Sequence, residues 1–108
     1  MVARAFFDTI RSIAFGGISG SYASLGSTFT KNARAIKIVN NTDGDLMFTD
    51  DVTLDKIFIP AYGFDLWDIQ ANMNAQFDDK FVLEIGTQIS VKQVTAPSVG
   101  NVYLTVLY

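Results

Sequence analysis

From Ser12 onward, apolar runs only a few residues long are cut at short intervals by turn residues, and no stretch is left for a long helix. That rhythm belongs to short antiparallel strands. Gly16-Gly17, Ser19-Gly20-Ser21 and Gly26-Ser27 punctuate the first runs. Residues 33–39 are rich in β-branched side chains and stop at Asn40-Asn41-Thr42-Asp43-Gly44. There Asp43-Gly44 is expected to supply the positive φ of a tight hairpin, with residues 46–49 as its returning strand. Residues 56–59 read as a strand ended by Pro60, which cannot donate to a ladder. Further strands are expected at residues 64–69, 81–85, 88–94 and 102–108, with a long polar loop or helical turn over 70–79. The set amounts to roughly eight strands at the spacing typical of sandwiches and barrels. The expected fold is therefore all-β: a single small antiparallel β-sandwich, jelly-roll-like, over residues 15–108, preceded by an N-terminal arm over 1–14.

A chain of 108 residues suits one such domain, because two would each be too small to bury a sufficient core. The 49% apolar and 18% charged composition argues against disorder. A net charge of −3 weakens any nucleic-acid reading. The absence of cysteine and histidine removes disulfides, thiolate and Ser-His-Asp catalysis, and the commonest metal ligand. No apolar stretch reaches membrane-spanning length, and Asp8 and Arg11 interrupt the one place a signal sequence could lie. The chain reads as soluble and non-enzymatic, with no cofactor, metal, nucleic acid or membrane expected. In the arm, Val2, Phe6, Ile10 and Ile13 fall at helical spacing, yet an extended strand with Phe6 and Phe7 laid on the body fits equally.

Three groups of side chains invite a chemical reading. Asp43, Asp45, Asp50, Asp51 and Asp55 are close in sequence, but their spacing does not match a calcium-binding loop, and solvated turns explain them better. Asp65 and Asp68 lie three apart on a strand and so point to opposite faces, which argues against a catalytic pair. Tyr62, Phe64 and Trp67 could make an aromatic platform, although core packing or an inter-subunit anchor suits them better.

Surface patterning is more informative. Residues 46–48, 57–59 and 103–108 carry apolar groups on both faces of their strands, while a domain of this size has only one core. The surplus should face outward and mark an interface. The candidate interface residues are Met47 and Phe58 in the first two strands, Tyr103 and Tyr108 in the last, Tyr62 and Trp67 between them, and Phe6, Phe7 and Ile10 in the arm. A one-residue error in register would exchange such residues with core residues.

The runs from Ile18 to Gly26 (Ile-Ser-Gly-Ser-Tyr-Ala-Ser-Leu-Gly) and from Ala35 to Phe48 (Ala-Ile-Lys-Ile-Val-Asn-Asn-Thr-Asp-Gly-Asp-Leu-Met-Phe) resemble small virion structural proteins of tailed bacteriophages. So do Lys56-Ile-Phe-Ile-Pro-Ala61, Gly63-Phe-Asp-Leu-Trp-Asp-Ile69 and the closing Gly100-Asn-Val-Tyr-Leu-Thr-Val-Leu-Tyr108. The resemblance implies a compact β-sandwich of the virion, assembled in the host cytoplasm, without catalytic residues. It further implies a homo-oligomer that contacts other virion proteins. A decoration or cement protein would form trimers on the major capsid protein, whereas a head–tail connector, adaptor or tail component would close into a ring. A lectin-like module using Trp67, Tyr62 and the Asp50-Asp51 loop for glycan and Ca²⁺ is the alternative from another functional class.

Overall fold

The residues between Gly100 and the end of the chain organise the molecule. In a computed structural model, which describes residues 5–69 and 83–108, they form an eight-residue strand at the interior of one of two four-stranded antiparallel sheets. In chain order the strands are β1 (Arg11–Ala14), β2 (Ala23–Ser24), β3 (Ala35–Thr42), β4 (Leu46–Thr49), β5 (Ile57–Ile59), β6 (Phe64–Asp68), β7 (Ser90–Gln93) and β8 (Gly100–Leu107). A 3-10 turn, Phe15–Gly17, follows β1, and no α-helix occurs among the described residues.

The first sheet has the order β1-β8-β3-β6 and the second β2-β7-β4-β5. Pairs β1·β8, β2·β7, β3·β6 and β4·β5 are those of one long antiparallel ribbon, in which the first half of the chain runs back against the second. Rolling that ribbon adds the pairs β3·β8 and β4·β7, which is the jelly-roll arrangement. The β-sandwich expected from the rhythm of turns is therefore the fold observed.

Strand alternation builds the core. Val102, Leu104 and Val106 of β8 and Ile36 and Ile38 of β3 point inward from the first sheet. Leu46 and Phe48 of β4, Ile59 of β5 and Val91 of β7 meet them from the second, with Leu25 and Phe29 closing one side. All are buried, and each side chain of this kind contributes about 1.5–3 kcal/mol by leaving water.

Three local expectations are corrected. The Asp43-Gly44 turn does not close a hairpin: β3 lies in the first sheet and β4 in the second, so the turn is a corner between sheets. Gly44 is needed there for space rather than for a left-handed φ, since a Cβ would stand 2.4 Å from the Thr95 carbonyl oxygen. The corner is pinned by buried Asn40, whose amide donates to the carbonyls of Gly44, Ile59 and Pro60 at 2.9–3.2 Å. Its Oδ1 accepts from the Thr42 amide and hydroxyl, so a polar group that would be costly to bury is fully used. Second, the described part of the strand expected at residues 81–85 is a lone bridge between Leu83 and Ala33, followed by a turn through Gly86. Third, Ser90, which alternation with Ile89 and Val91 along its strand would turn to solvent, is buried. The loop expected over 70–79 lies outside the described residues.

The described part of the arm, from residue 5, takes the extended course. Phe6 exchanges backbone hydrogen bonds with Tyr108, Phe7 bridges Leu107, and β1 continues along β8. Phe7 stands opposite Leu107 and Arg11 opposite Leu104, so four steps of the arm span three of β8. The extra residue is a bulge between Asp8 and Arg11.

Candidate interaction surfaces

The outward side of the first sheet carries an apolar patch bordered by polar residues. Registers place Tyr103, Val39 and Phe64 in one row across β8, β3 and β6, and Thr105, Lys37 and Leu66 in the next. Phe7, Leu107 and Ala35 form a third, ending at Asp68. Phe7 is 72% exposed and Phe64 and Leu66 63% each, while Tyr103, Val39 and Leu107 are half-buried between them. Among the described residues of its strands Lys37 is the one cation on this sheet face, and its Nζ lies over the Phe64 ring, 5.2 Å from the centroid. An uncovered apolar sheet face of this kind is the feature that marks an interaction site on a soluble domain.

The outward side of the second sheet is built differently. Thr49 and Ser90 are fully buried there because residues 50–56 fold back beside them. Asp51 accepts from the Thr49 hydroxyl and from the amides of Thr53 and Leu54, and Lys56 pairs with Asp50 at 2.6 Å and Asp51 at 3.0 Å. The Tyr22 hydroxyl donates to Asp55 at 2.6 Å, and Lys92 pairs with the same carboxylate while its Nζ lies over the Tyr22 ring. Burial and the Asp55 carboxylate push the Tyr22 phenol above its ordinary range. Hydrogen bonds from Tyr22 and Lys92 hold Asp55 below the usual carboxylate range, and those from Thr53 and Lys56 do the same for Asp51. Lys56 is raised by its two carboxylates.

The five aspartates from Asp43 to Asp55 are each engaged by hydrogen bonds or ion pairs, several of them from residues distant in sequence. Asp43 accepts from the Ser98 amide and hydroxyl and the Val99 amide, which lowers its pKa, and Asp45 accepts from the Ala61 amide. Among the described residues, no group of three or more His, Cys, Asp or Glu is placed to hold a metal ion. An apolar cavity of about 180 Å³ lies between the sheets, walled by Ile36, Trp67, Ile57, Ile69, Leu83 and Ile89. Among the described residues, Asp50 and Lys56, already paired with each other, are its polar lining.

A third polar group sits where the arm meets the chain's last residue. Arg11 is buried: its Nε donates to the Ser27 carbonyl at 2.8 Å and its Nη2 to the Thr28 carbonyl and the Tyr108 hydroxyl, both at 3.2 Å. Asp8 pairs with Nη2 at 2.9 Å and accepts from the Tyr108 hydroxyl at 2.9 Å, which lowers the Asp8 pKa. The same hydroxyl accepts from the Thr30 amide. Gly26, at φ +73°, lets the Arg11 stem pass, since a Cβ there would stand 2.6 Å from Arg11 Cγ. Nη1 of Arg11 has no partner among the described residues.

These placements divide the interface candidates. Phe7 and Tyr103 fall on the apolar face of the first sheet, and Met47 and Phe58 on the outer side of the second. Phe6 and Ile10 lie along the β1 edge, both exposed. Tyr62 is exposed in a loop at φ +59°, a left-handed conformation that costs a tyrosine about 1–2 kcal/mol. Tyr108 and Trp67 are corrected: Tyr108 is buried against Phe29 and Phe6, and Trp67 points inward onto the core. The aromatic trio is accordingly split, with Phe64 facing out and Trp67 in, and Asp65 and Asp68 point to opposite sides as expected. Leu66, Val39 and Leu107 were not singled out; the alternation of β6 was the available signal, but only its register against β3 says which half of it faces solvent.

No family model matches this chain, and no curated protein matches it. The fold is similar to that of a chain from the acidic stable capsid structure of the Helicobacter pylori bacteriophage KHP30, with a TM-score of 0.53 and 8% identity. The alignment covers 98% of this chain and 87% of that one, so the two are nearly equal in size. No helix among the described residues is long and apolar enough to cross a membrane.

Proposed function

We propose that this chain is a non-catalytic structural protein of a bacteriophage particle, acting as a decoration or cement protein that joins copies of itself and the capsid shell. The observation that carries this reading is the uncovered apolar outer face of the β1-β8-β3-β6 sheet. Burying Phe7, Phe64 and Leu66 there would yield about 1.5–3 kcal/mol for each side chain, enough to hold neighbours together when repeated over a symmetric shell. Support comes from the likeness in fold to a capsid chain of nearly the same length. A head–tail connector or tail component would use the same face to close a ring.

The experiment is absolute molar mass by light scattering after size-exclusion chromatography, over a concentration series. A trimer is the expected result and points to three-fold positions of a shell. A larger closed ring transfers the chain to the connector or tail. A monomer at every concentration overturns the self-associating role. The lectin-like alternative gains nothing from Asp50 and Asp51, whose carboxylates are occupied by Lys56.

A further inference from the structure

We propose that copies of this chain join head to tail, with Val52 and Leu54 at the tip of the 50–56 loop of one copy seated on the open face of the first sheet of the next. The inference rests on the structural role proposed above for why copies meet, and it adds which two surfaces meet.

The 50–56 loop is built inside out. Its charged side chains hold it in place: Asp51 accepts from the Thr49 hydroxyl and the Thr53 and Leu54 amides, Lys56 pairs with Asp50 and Asp51, and Asp55 is held by Tyr22 and Lys92. The side chains left in solvent are the apolar ones, Val52 at 57% and Leu54 at 65% exposure. Val52 is also left-handed, at φ +58°, a conformation in which a β-branched residue is an outlier. Strain of this kind persists only where surrounding contacts impose it, and it gathers at binding surfaces. The loop thus presents a fixed apolar knob, whose ordering is not a further cost when a partner binds.

A counterpart lies on the same chain. Registers set Tyr103, Val39 and Phe64 in one row of the first sheet's outer face and Leu66 in the next, with no cover among the described residues. Charge matches as well. Around the knob, the three carboxylates of Asp50, Asp51 and Asp55 face the two ammonium groups of Lys56 and Lys92, which leaves a net negative charge. Lys37, beside Leu66 and over the Phe64 ring, supplies the cation of the open face. Asp68 lies in the row beyond Leu66, at the margin of this contact.

Topology selects a second copy as the occupant. The loop covers the outer side of the second sheet and the open face is the outer side of the first, so the two lie on opposite sides of the sandwich and do not meet within one chain. Two different patches that fit one another make a heterologous contact, which closes into a ring when the rotation between copies allows. The trimer expected above needs such a contact, because a patch that pairs with itself stops at two copies. The ion pairs around the knob keep a partner off the strands beneath, so Phe58 stays outside the contact.

The sequence contains no cysteine, so single introduced thiols report which surfaces touch. Leu54→Cys copies mixed with Leu66→Cys copies, under a short bismaleimide, are expected to give a mixed covalent dimer at least about tenfold faster than either variant gives a dimer with itself. Tags of different size tell the products apart. Val52→Asn removes the apolar tip and suits the left-handed backbone; it should weaken association about tenfold by light scattering while raising the melting temperature. Self-association without the mixed product overturns the loop-on-face contact and leaves the structural role standing. A Leu66→Cys dimer formed with itself as readily as the mixed one, or a Val52→Asn variant that associates like the unmodified chain, does the same. Absence of any association in the unmodified chain overturns both readings.

Discussion

The two sheets share one core and differ on their outer sides. Behind β4 and β7, residues 50–56 fold back over the strands, and Lys56, Lys92, Tyr22 and three aspartates tie the cover down. Behind β8 and β3 there is no such cover among the described residues, and Phe7, Phe64 and Leu66 stand in solvent. One short chain can therefore cover one outer face with its own residues and leave the other exposed. What separates the faces is the cover: both sheets have apolar residues pointing outward, but those of the second sit among ion pairs.

The largest expected effect comes from charging the open face. Leu66→Asp should weaken self-association by about 100-fold or more, because a contact on this face that gained roughly 1.5–3 kcal/mol from the leucine would instead bury an unpaired carboxylate. Leu66 is mostly exposed in the single copy, so the melting temperature should change little. Sedimentation equilibrium over a concentration series, with a thermal melt beside it, reads both quantities. Unchanged association would break the comparison at its root.

Next in size is a change just behind that face. Leu107 points out and Tyr108, the next residue, points in, where its hydroxyl serves Asp8, Arg11 and Thr30. Tyr108→Phe should cost about 1–3 kcal/mol of stability by leaving the buried Arg11 and the Thr30 amide short of a partner. Association of the folded protein should be retained. Urea unfolding measures the first and light scattering the second; a variant that melts normally yet no longer associates would make Tyr108 an interface residue after all.

Position in the fold explains what could be read from the chain alone. Short strands and the place of Pro60 after β5 follow from local chemistry, in which turn residues and β-branched runs act on their neighbours. The sheet to which a strand belongs is non-local. Asp43-Gly44 has the composition of a hairpin, and only the pairing of β3 with β8 and of β4 with β7 makes it a corner. The interface residues suffer from the same limit. Tyr108 continues an apolar strand whose outer and inner halves look alike in sequence, and a buried arginine at Arg11 decides which half it joins. Leu66 is invisible for the complementary reason, since its neighbours Asp65 and Trp67 give no hint that the tryptophan is the inward residue.

A smaller effect is expected on the covered face. Tyr22→Phe removes one hydrogen bond to a carboxylate at a partly exposed site and should lower the melting temperature by roughly 2–4 °C. The titrations there set the pH range of the fold. Asp8, Asp43, Asp51 and Asp55 all have folded pKa values below the ordinary 3.8. Their contribution is complete above that value and is lost as pH falls through the lower folded values. Lys56 and Tyr22 are raised, so their contribution is complete below their ordinary values of 10.5 and 10.0 and is lost as pH rises beyond them. The melting temperature should be flat between about pH 5 and 9 and fall on both sides. Tyr22→Phe should remove part of the alkaline limb; a limb identical to that of the unmodified protein would mean that Tyr22 does not titrate with unfolding.

The smallest effect is the most discriminating. Phe58 is 49% exposed and lies opposite Met47 on the covered face, so by exposure alone it resembles the residues of the open one. Phe58→Asp should nevertheless change association by less than about twofold, since its sheet face is already occupied by the 50–56 fold and the Lys92–Asp55 pair. It should also leave the melting temperature within a few degrees, because an exposed side chain gives up little burial. If Phe58→Asp weakened association as strongly as Leu66→Asp, the charged cover would be no barrier to a partner. Copies would then meet through both faces of the sandwich.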